Sequence, residues 1–265
     1  MRITFDSNVW EEVVRPDTRP GDPERQKHLI QIHEALKAGR ISGFICETVT
    51  TLEGLRRGDR AEFLAKQEVG PRLLDSVQPD GTTHTIAMIA PDQSHRPALK
   101  PILTDRLKEA VALGVQVMGV PRYSELVLPS EFYANEFEKT VEKIGKAMFE
   151  IEQRGVGRAQ LTMIGRELAI RHPESGHTYF DIPDVPLTDE DRRKVAAAVA
   201  EWADGDTIAC HIGYGNDLFC SGDKGGKAGA RTSILNHANR AWLTSTYGQQ
   251  FKSVAELAAI LSPRM

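Results

Sequence analysis

Residues 203–225 read ADGDTIACHIGYGNDLFCSGDKG. Asp204 to Tyr214 reads as a short helix, and Leu218 to Ser221 as an apolar strand that delivers the chain to Asp223. Asp217 sits where it would fix the turn before that strand. A helix followed at once by a short buried strand ending in an acid is the closing unit of an α/β sheet, and the opening residues match it. Arg2 to Phe5 reads as a strand that ends at Asp6.

Working outward, Thr188 caps a helix through Trp202, with Asp189 and Glu190 in the first turn where the helix dipole favours acids. Ser233 to Tyr247 reads as a helix, Phe251 begins a short strand or turn, and Ser253 caps a last helix through Leu261. In the first third, Pro23 to Ala38 carries Leu29, Ile30, Ile32, Ala35 and Leu36 on one side, as a packed helix does. Ile41 to Cys46 is a second strand, and Thr48 to Arg57 reads as the helix after it, stopped by Gly58. Strand, helix, strand, helix is the start of an α/β sheet.

The middle is less regular. Thr85 to Ala90, Pro101 to Leu113 and Val115 to Val120 together suggest a βαβ unit. Glu131 to Arg154 and Arg158 to Arg171 read as helices, and 172–186 as a polar loop. Composition shifts near Gly70 and near Pro186. The expected organisation is a core of residues 1–69 and 187–265, with 70–186 as a mostly helical insertion of unknown role.

Length and composition describe an ordinary globule: 265 residues, 40% hydrophobic and 26% charged. The formal net charge of −4 argues against a broad basic surface and leaves room for a local basic rim. Cys46, Cys210 and Cys220 have no CxxC or Cys/His spacing and read as buried thiols of a cytoplasmic protein. The histidines lack HxH or HExxH spacing, so zinc is not expected; His211 reads as structural. No segment has the apolar length of a membrane span.

Four carboxylates occupy related positions. Asp6 and Asp223 follow strands, Glu53 lies after the second strand, and Asp204 begins the helix before a later one. A parallel sheet brings its carboxyl edge and the following helix starts together, and ligands bind there. Acids gathered at such an edge repel each other and become tolerable around a hard, oxygen-seeking cation, Mg²⁺ or Mn²⁺. Such a cation activates water and stabilises charge in phosphodiester displacement. Asp206 competes with Asp204 for the third place, and Glu47 with Glu53 for the second. Lys224, Lys227 and Arg231 follow the last acid in GDKGGKAGAR, a stretch suited to phosphate contact.

These residues resemble the PIN-domain nuclease family. ITFDSNVW, with Asp6 and Asn8, is similar to its first motif, TVTTLEGLRRG, with Glu53, to its second, and the stretch 203–225 to its third and fourth run together. The resemblance covers about 1–66 and 188–261. It implies a three-layer α/β/α fold with a parallel central sheet and a Mg²⁺- or Mn²⁺-dependent endoribonuclease. Such enzymes are often toxins paired with an antitoxin protein, and often homodimers. It implies that Asp6, Glu53, Asp204 and Asp223 are catalytic, that Asp6, Asp204 and Asp223 ligate metal with Asp206 as a neighbouring ligand, and that Asn8 and Ser221 steady the loop. The family pattern does not account for residues 70–186. Two other functions compete. One is a catalytically silent PIN-like scaffold for RNA or protein. The other is a haloacid-dehalogenase-type phosphatase with Asp6 as nucleophile, although Asn8 stands where that pattern has an acid.

Overall fold

The computed structural model describes residues 1–18, 21–66, 69–77, 81–91, 101–121, 128–175, 180, 182–223 and 233–262. In chain order the elements are β1 (Arg2–Phe5), α1 (Trp10–Val14), α2 (Pro23–Lys37), β2 (Ser42–Cys46), α3 (Arg60–Ala65), β3 (Val69–Val77), β4 (Thr83–Pro91), α4 (Pro101–Ala112), β5 (Val115–Met118), α5 (Phe137–Gln153), α6 (Arg158–Arg171), α7 (Asp189–Gly213), β6 (Leu218–Cys220), α8 (His237–Tyr247), β7 (Phe251–Lys252) and α9 (Val254–Leu261). They gather into two compact units. The first holds Met1–Gly54, Leu99–Gln160 and Ala200–Met265; the second holds Leu55–Ala98 and Leu161–Val199.

The first unit is built on a five-stranded sheet in the order β5-β2-β1-β6-β7, with every pairing parallel. Side chains alternate across a strand, so each strand serves two faces. Ile3, Phe5, Ile45, Val115, Val117 and Leu218 pack with α1, α2, α4 and α9 residues into one buried cluster. Phe44, Cys46, Met118 and Phe219 pack with α5, α8 and the end of α7 into another. Helices thus cover both faces, and each large side chain so buried contributes about 1.5–3 kcal/mol. Gly213 permits one of these crossings: a Cβ there would stand 2.2 Å from Ile144 Cγ1 of α5.

Local chemistry places the helices. Asp22 accepts the Arg25 N–H at 2.9 Å ahead of Pro23, which opens α2. Ser253 and Glu256 cap α9 reciprocally, satisfying two N–H groups the helix cannot. Cys46, Cys210 and Cys220 are buried free thiols.

The second unit contains the antiparallel hairpin of β3 and β4, paired from Val69↔Pro91 to Val77↔Thr83, with α3 and the parts of α6 and α7 that belong to it. Arg60 donates to the Ala196 carbonyl at 2.9 Å. The Asp191 N–H donates to Thr188 Oγ1 at 3.2 Å, the expected cap. Arg171 clamps Asp191 through two bonds of 2.7 and 3.2 Å. With the Thr188 hydroxyl, this holds the Asp191 carboxyl down at about 2.

The structure departs from the sequence reading at four places. β5 pairs with β2, so residues 99–160 belong to the core unit, and an insertion running unbroken over 70–186 is not what forms. β4 pairs with β3 rather than entering a βαβ unit. Thr48 to Arg57 is not a helix. Glu47–Val49 makes one 3-10 turn, and the Thr50 and Thr51 hydroxyls donate to the Glu47 carbonyl at 2.9 and 3.2 Å, a local competition that disfavours helix. The two helices expected over 188–202 and 204–214 are one helix of 25 residues. Among the described residues, no helix is long and apolar enough to cross a membrane.

Candidate functional site

β1 and β6 lie side by side with Phe5 opposite Cys220, so Asp6 and Ser221 leave the sheet together at its carboxyl edge. The Asp6 N–H continues the ladder to the Cys220 carbonyl at 2.9 Å. Ser221 Oγ donates to Asp6 Oδ2 at 2.6 Å, and Asn8 Nδ2 reaches the same oxygen at 3.0 Å. The Ser7 N–H holds Oδ1 at 2.8 Å. Asn8 Oδ1 accepts the Gly222 N–H at 2.9 Å, and Ser221 Oγ accepts the Asp223 N–H at 3.0 Å. Asn8 and Ser221 therefore join the two loops and fix the Asp6 carboxyl between them.

The interior of α7 brings the third acid to this pair. Burial pushes the Asp204 carboxyl well above the ordinary carboxylate range, and the charges of Asp6, Glu53, Glu201 and Asp223 add to that. Burial likewise raises Asp6, against the bonds from Ser221 and Ser7, and the Asp223 charge adds to the rise. Asp6, Glu53, Asp204 and Asp223 thus share one electrostatic neighbourhood. The turn bearing Glu53 is tied to α7 by a 3.0 Å contact between the Thr48 and Thr207 hydroxyls, one helical turn beyond Asp204.

Sequence reasoning missed two members. Glu201, one turn before Asp204, has its carboxyl raised by burial despite bonds from Ser233 and the Ile234 N–H, and Asp223 raises it further. Its spacing of three from Asp204 was a legible signal, since such residues share a helix face. Arg240 of α8, half-buried, donates to the Asp223 carbonyl at 2.7 Å and to the Leu235 carbonyl at 2.7 Å. Burial lowers its guanidinium pKa, against the charges of Asp223 and Asp6. Nothing in the sequence distinguishes it from other helix-surface arginines.

Asp206 does not join this group, which corrects its place among the candidate ligands. Two residues along a helix is about 200° around it. Its carboxylate turns to Trp202, whose Nε1 donates to Oδ2 at 2.8 Å, and its charge acts on Cys210. Glu47, the rival to Glu53, is also elsewhere: Oε2 accepts the Val120 N–H at 3.0 Å and Oε1 the Tyr133 hydroxyl at 2.8 Å. His211 is fully buried, with Nδ1 2.8 Å from Thr4 Oγ1; burial lowers its pKa to about 4, as suits a structural imidazole. Asp217 accepts the Arg2 N–H at 2.7 Å and pins the turn before β6. Lys224, Lys227 and Arg231 lie outside the described residues.

The donor set suits a hard divalent cation: all oxygen, mutually repelling and poorly solvated. Glu201 Oε2 is buried without a hydrogen-bond partner, the kind of atom a cation satisfies. As they stand, no three His, Cys, Asp or Glu groups among the described residues are gathered closely enough to hold an ion. Beside the acids, Ser7 and Glu53 help to line a cavity of about 240 Å³. A larger cavity of about 480 Å³ is lined by residues just past β2 and β5, Glu47 and Gly119, together with Tyr133 and Phe137.

No protein-family model, no curated protein and no solved structure matches the chain.

Proposed function

We propose that the chain is a divalent-metal-dependent endoribonuclease on a PIN-like three-layer fold. The observation that carries this reading is Asp204, a half-buried carboxylate on α7 whose pKa is raised first by desolvation and then by the charges of Asp6, Glu53, Glu201 and Asp223. Burying like charges together is costly without a counter-ion, and folded proteins keep such arrangements chiefly at functional sites. Mg²⁺ or Mn²⁺ would be held by Asp6, Asp204 and Asp223, with Glu53 and Glu201 flanking. When bound, the cation would supply Lewis acidity toward a phosphodiester and its attacking water.

The chain's own residues do the remaining work. Ser7, Asn8 and Ser221 orient Asp6, so that its oxygens need no reorganisation on binding. Without the cation, the raised acids retain protons at higher pH than isolated carboxylates do, so metal binding releases protons. Antitoxin and homodimer partners rest on the family resemblance alone. The scaffold reading has one observation in its favour, the absence of a ready-made ion cage among the described residues.

The test is cleavage of single-stranded RNA by purified protein with Mn²⁺ or Mg²⁺, beside Asp6→Asn and Asp223→Asn. Loss of turnover in both variants is expected, and equal activity in all three proteins would sink the proposal.

A further inference from the structure

The cavity of about 240 Å³ beside the acids is lined by Ser7, Glu53 and Arg106 of α4, with Trp10, Val49 and Ile102 as apolar wall. Ser7 and Glu53 tie it to the acidic site: Ser7 donates its N–H to Asp6, and the Glu53 charge acts on Asp204. A site of clustered carboxylates repels a polyanion, so a nucleic-acid substrate needs a cation close by that the acids do not neutralise. Arg106 pairs with Glu11 of α1 through Nη1. A guanidinium has five donors in a fixed fork, so one carboxylate does not exhaust it. Ile102, 54% exposed, gives the lining a solvent-accessible apolar surface.

We propose that Arg106 binds a backbone phosphate of single-stranded RNA, and that this cavity receives the nucleotide adjoining the cleaved linkage. The inference rests on the nuclease reading for its substrate class. Glu11 holds the guanidinium in place through Nη1, and the phosphate takes other donors of the fork, as Arg–phosphate pairs do. The sugar lies against the apolar wall.

A purely structural role is the competing account, because a second ion pair of the same kind lies close by. Arg15, the residue that ends α1, pairs with Glu109 of α4, but neither lines the cavity. Arg15→Gln is therefore the control: it removes a staple and touches no substrate.

The experiment titrates a fluorescein-labelled single-stranded RNA oligonucleotide by anisotropy, in EDTA so that no variant cleaves it, across a series of salt concentrations. Arg106→Gln is expected to weaken binding about 10-fold and to reduce the salt slope by about 1, the signature of a lost phosphate contact. Arg106→Lys should keep most of the slope, since the charge remains. Arg15→Gln should leave affinity and slope as in wild type. Glu11→Gln, at a half-buried position in the cavity wall, should tighten binding and covers the case in which Arg106→Gln folds poorly. Equal slopes in Arg106→Gln and wild type, equal losses in Arg106→Gln and Arg15→Gln, or no binding by wild type would each overturn the proposal. RNA binding that depends on Arg106 in a protein without turnover would overturn the nuclease reading alone.

Discussion

Helix α7 carries two acids two residues apart, Asp204 half-buried and Asp206 buried, and they live in opposite circumstances. Asp206 receives a hydrogen bond from Trp202 and lies toward Cys210 and the Glu47 side of the sheet, where Glu47 too has a donor for each oxygen. Asp204 has no hydrogen-bond donor among the described residues, and desolvation, followed by the charges of four other carboxylates, raises its pKa. Burial alone therefore does not mark a functional acid. A buried carboxylate with donors and no acid beside it specifies packing; one set against its own kind, as Asp204 and Asp6 are, stores repulsion that a ligand can relieve.

The sharpest way to break this contrast is to neutralise each acid in turn. Asp204→Asn is expected to cut RNA turnover by about 10² to 10³, the range for removing one preorganised electrostatic group. It should also raise thermal stability, as removal of stored repulsion at a functional site commonly does. Asp206→Ala should do the reverse. It leaves Trp202 Nε1 buried without its acceptor, at a cost of about 1–3 kcal/mol, while turnover per folded molecule stays near wild type. Rates and melting curves of the two variants check both halves. Matching losses of activity in the two folded variants would erase the distinction.

The second effect is linkage to the cation. A ligand that binds only the folded state at 100 times its Kd stabilises by about 2.7 kcal/mol. Mn²⁺ or Mg²⁺ should therefore raise the melting temperature of wild type and of Asp206→Ala, and leave Asp204→Asn nearly unmoved. A shift of the same size in all three proteins would place the cation elsewhere.

How much of this could be read from the sequence follows from what each residue depends on. Asp6 and Asp223 were legible because each ends a short apolar strand, and parallel pairing brings such ends together without further information. The choice between Asp204 and Asp206 was not, because Asp-Gly-Asp reads as a helix boundary. The helix instead runs through it, and Gly205 is there for close approach: its Cβ would stand 3.0 Å from Gly157 Cα. That contact joins positions 48 residues apart and leaves no local trace. Glu53 was found on a resemblance and assigned to a helix that does not form, because the hydroxyls of Thr50 and Thr51 take the Glu47 carbonyl. β5 was expected inside an insertion for a similar reason: its partner is β2, across residues far apart in sequence. Periodicity can reveal a strand, but the strand's neighbour is a tertiary fact.

The smallest predicted effect is a change in the slope of stability with pH, measured by denaturant unfolding in EDTA. Asp204 and Asp6 have folded pKa values raised above 3.8, so above that pH the folded state binds more protons than the unfolded chain. Their contribution makes stability fall as pH rises from about 3.8 toward the folded values. His211 works in the opposite sense. Burial lowers its pKa from 6.5 to about 4, so between those values the unfolded chain binds the extra proton and stability falls as pH falls. In wild type the two contributions oppose each other across the shared window. Asp204→Asn removes one of them and should leave a steeper loss of stability on acidification from pH 6.5 to 4. An unchanged slope in Asp204→Asn would mean that Asp204 does not carry the raised proton affinity, and the contrast between the two sides of α7 would lose its electrostatic basis.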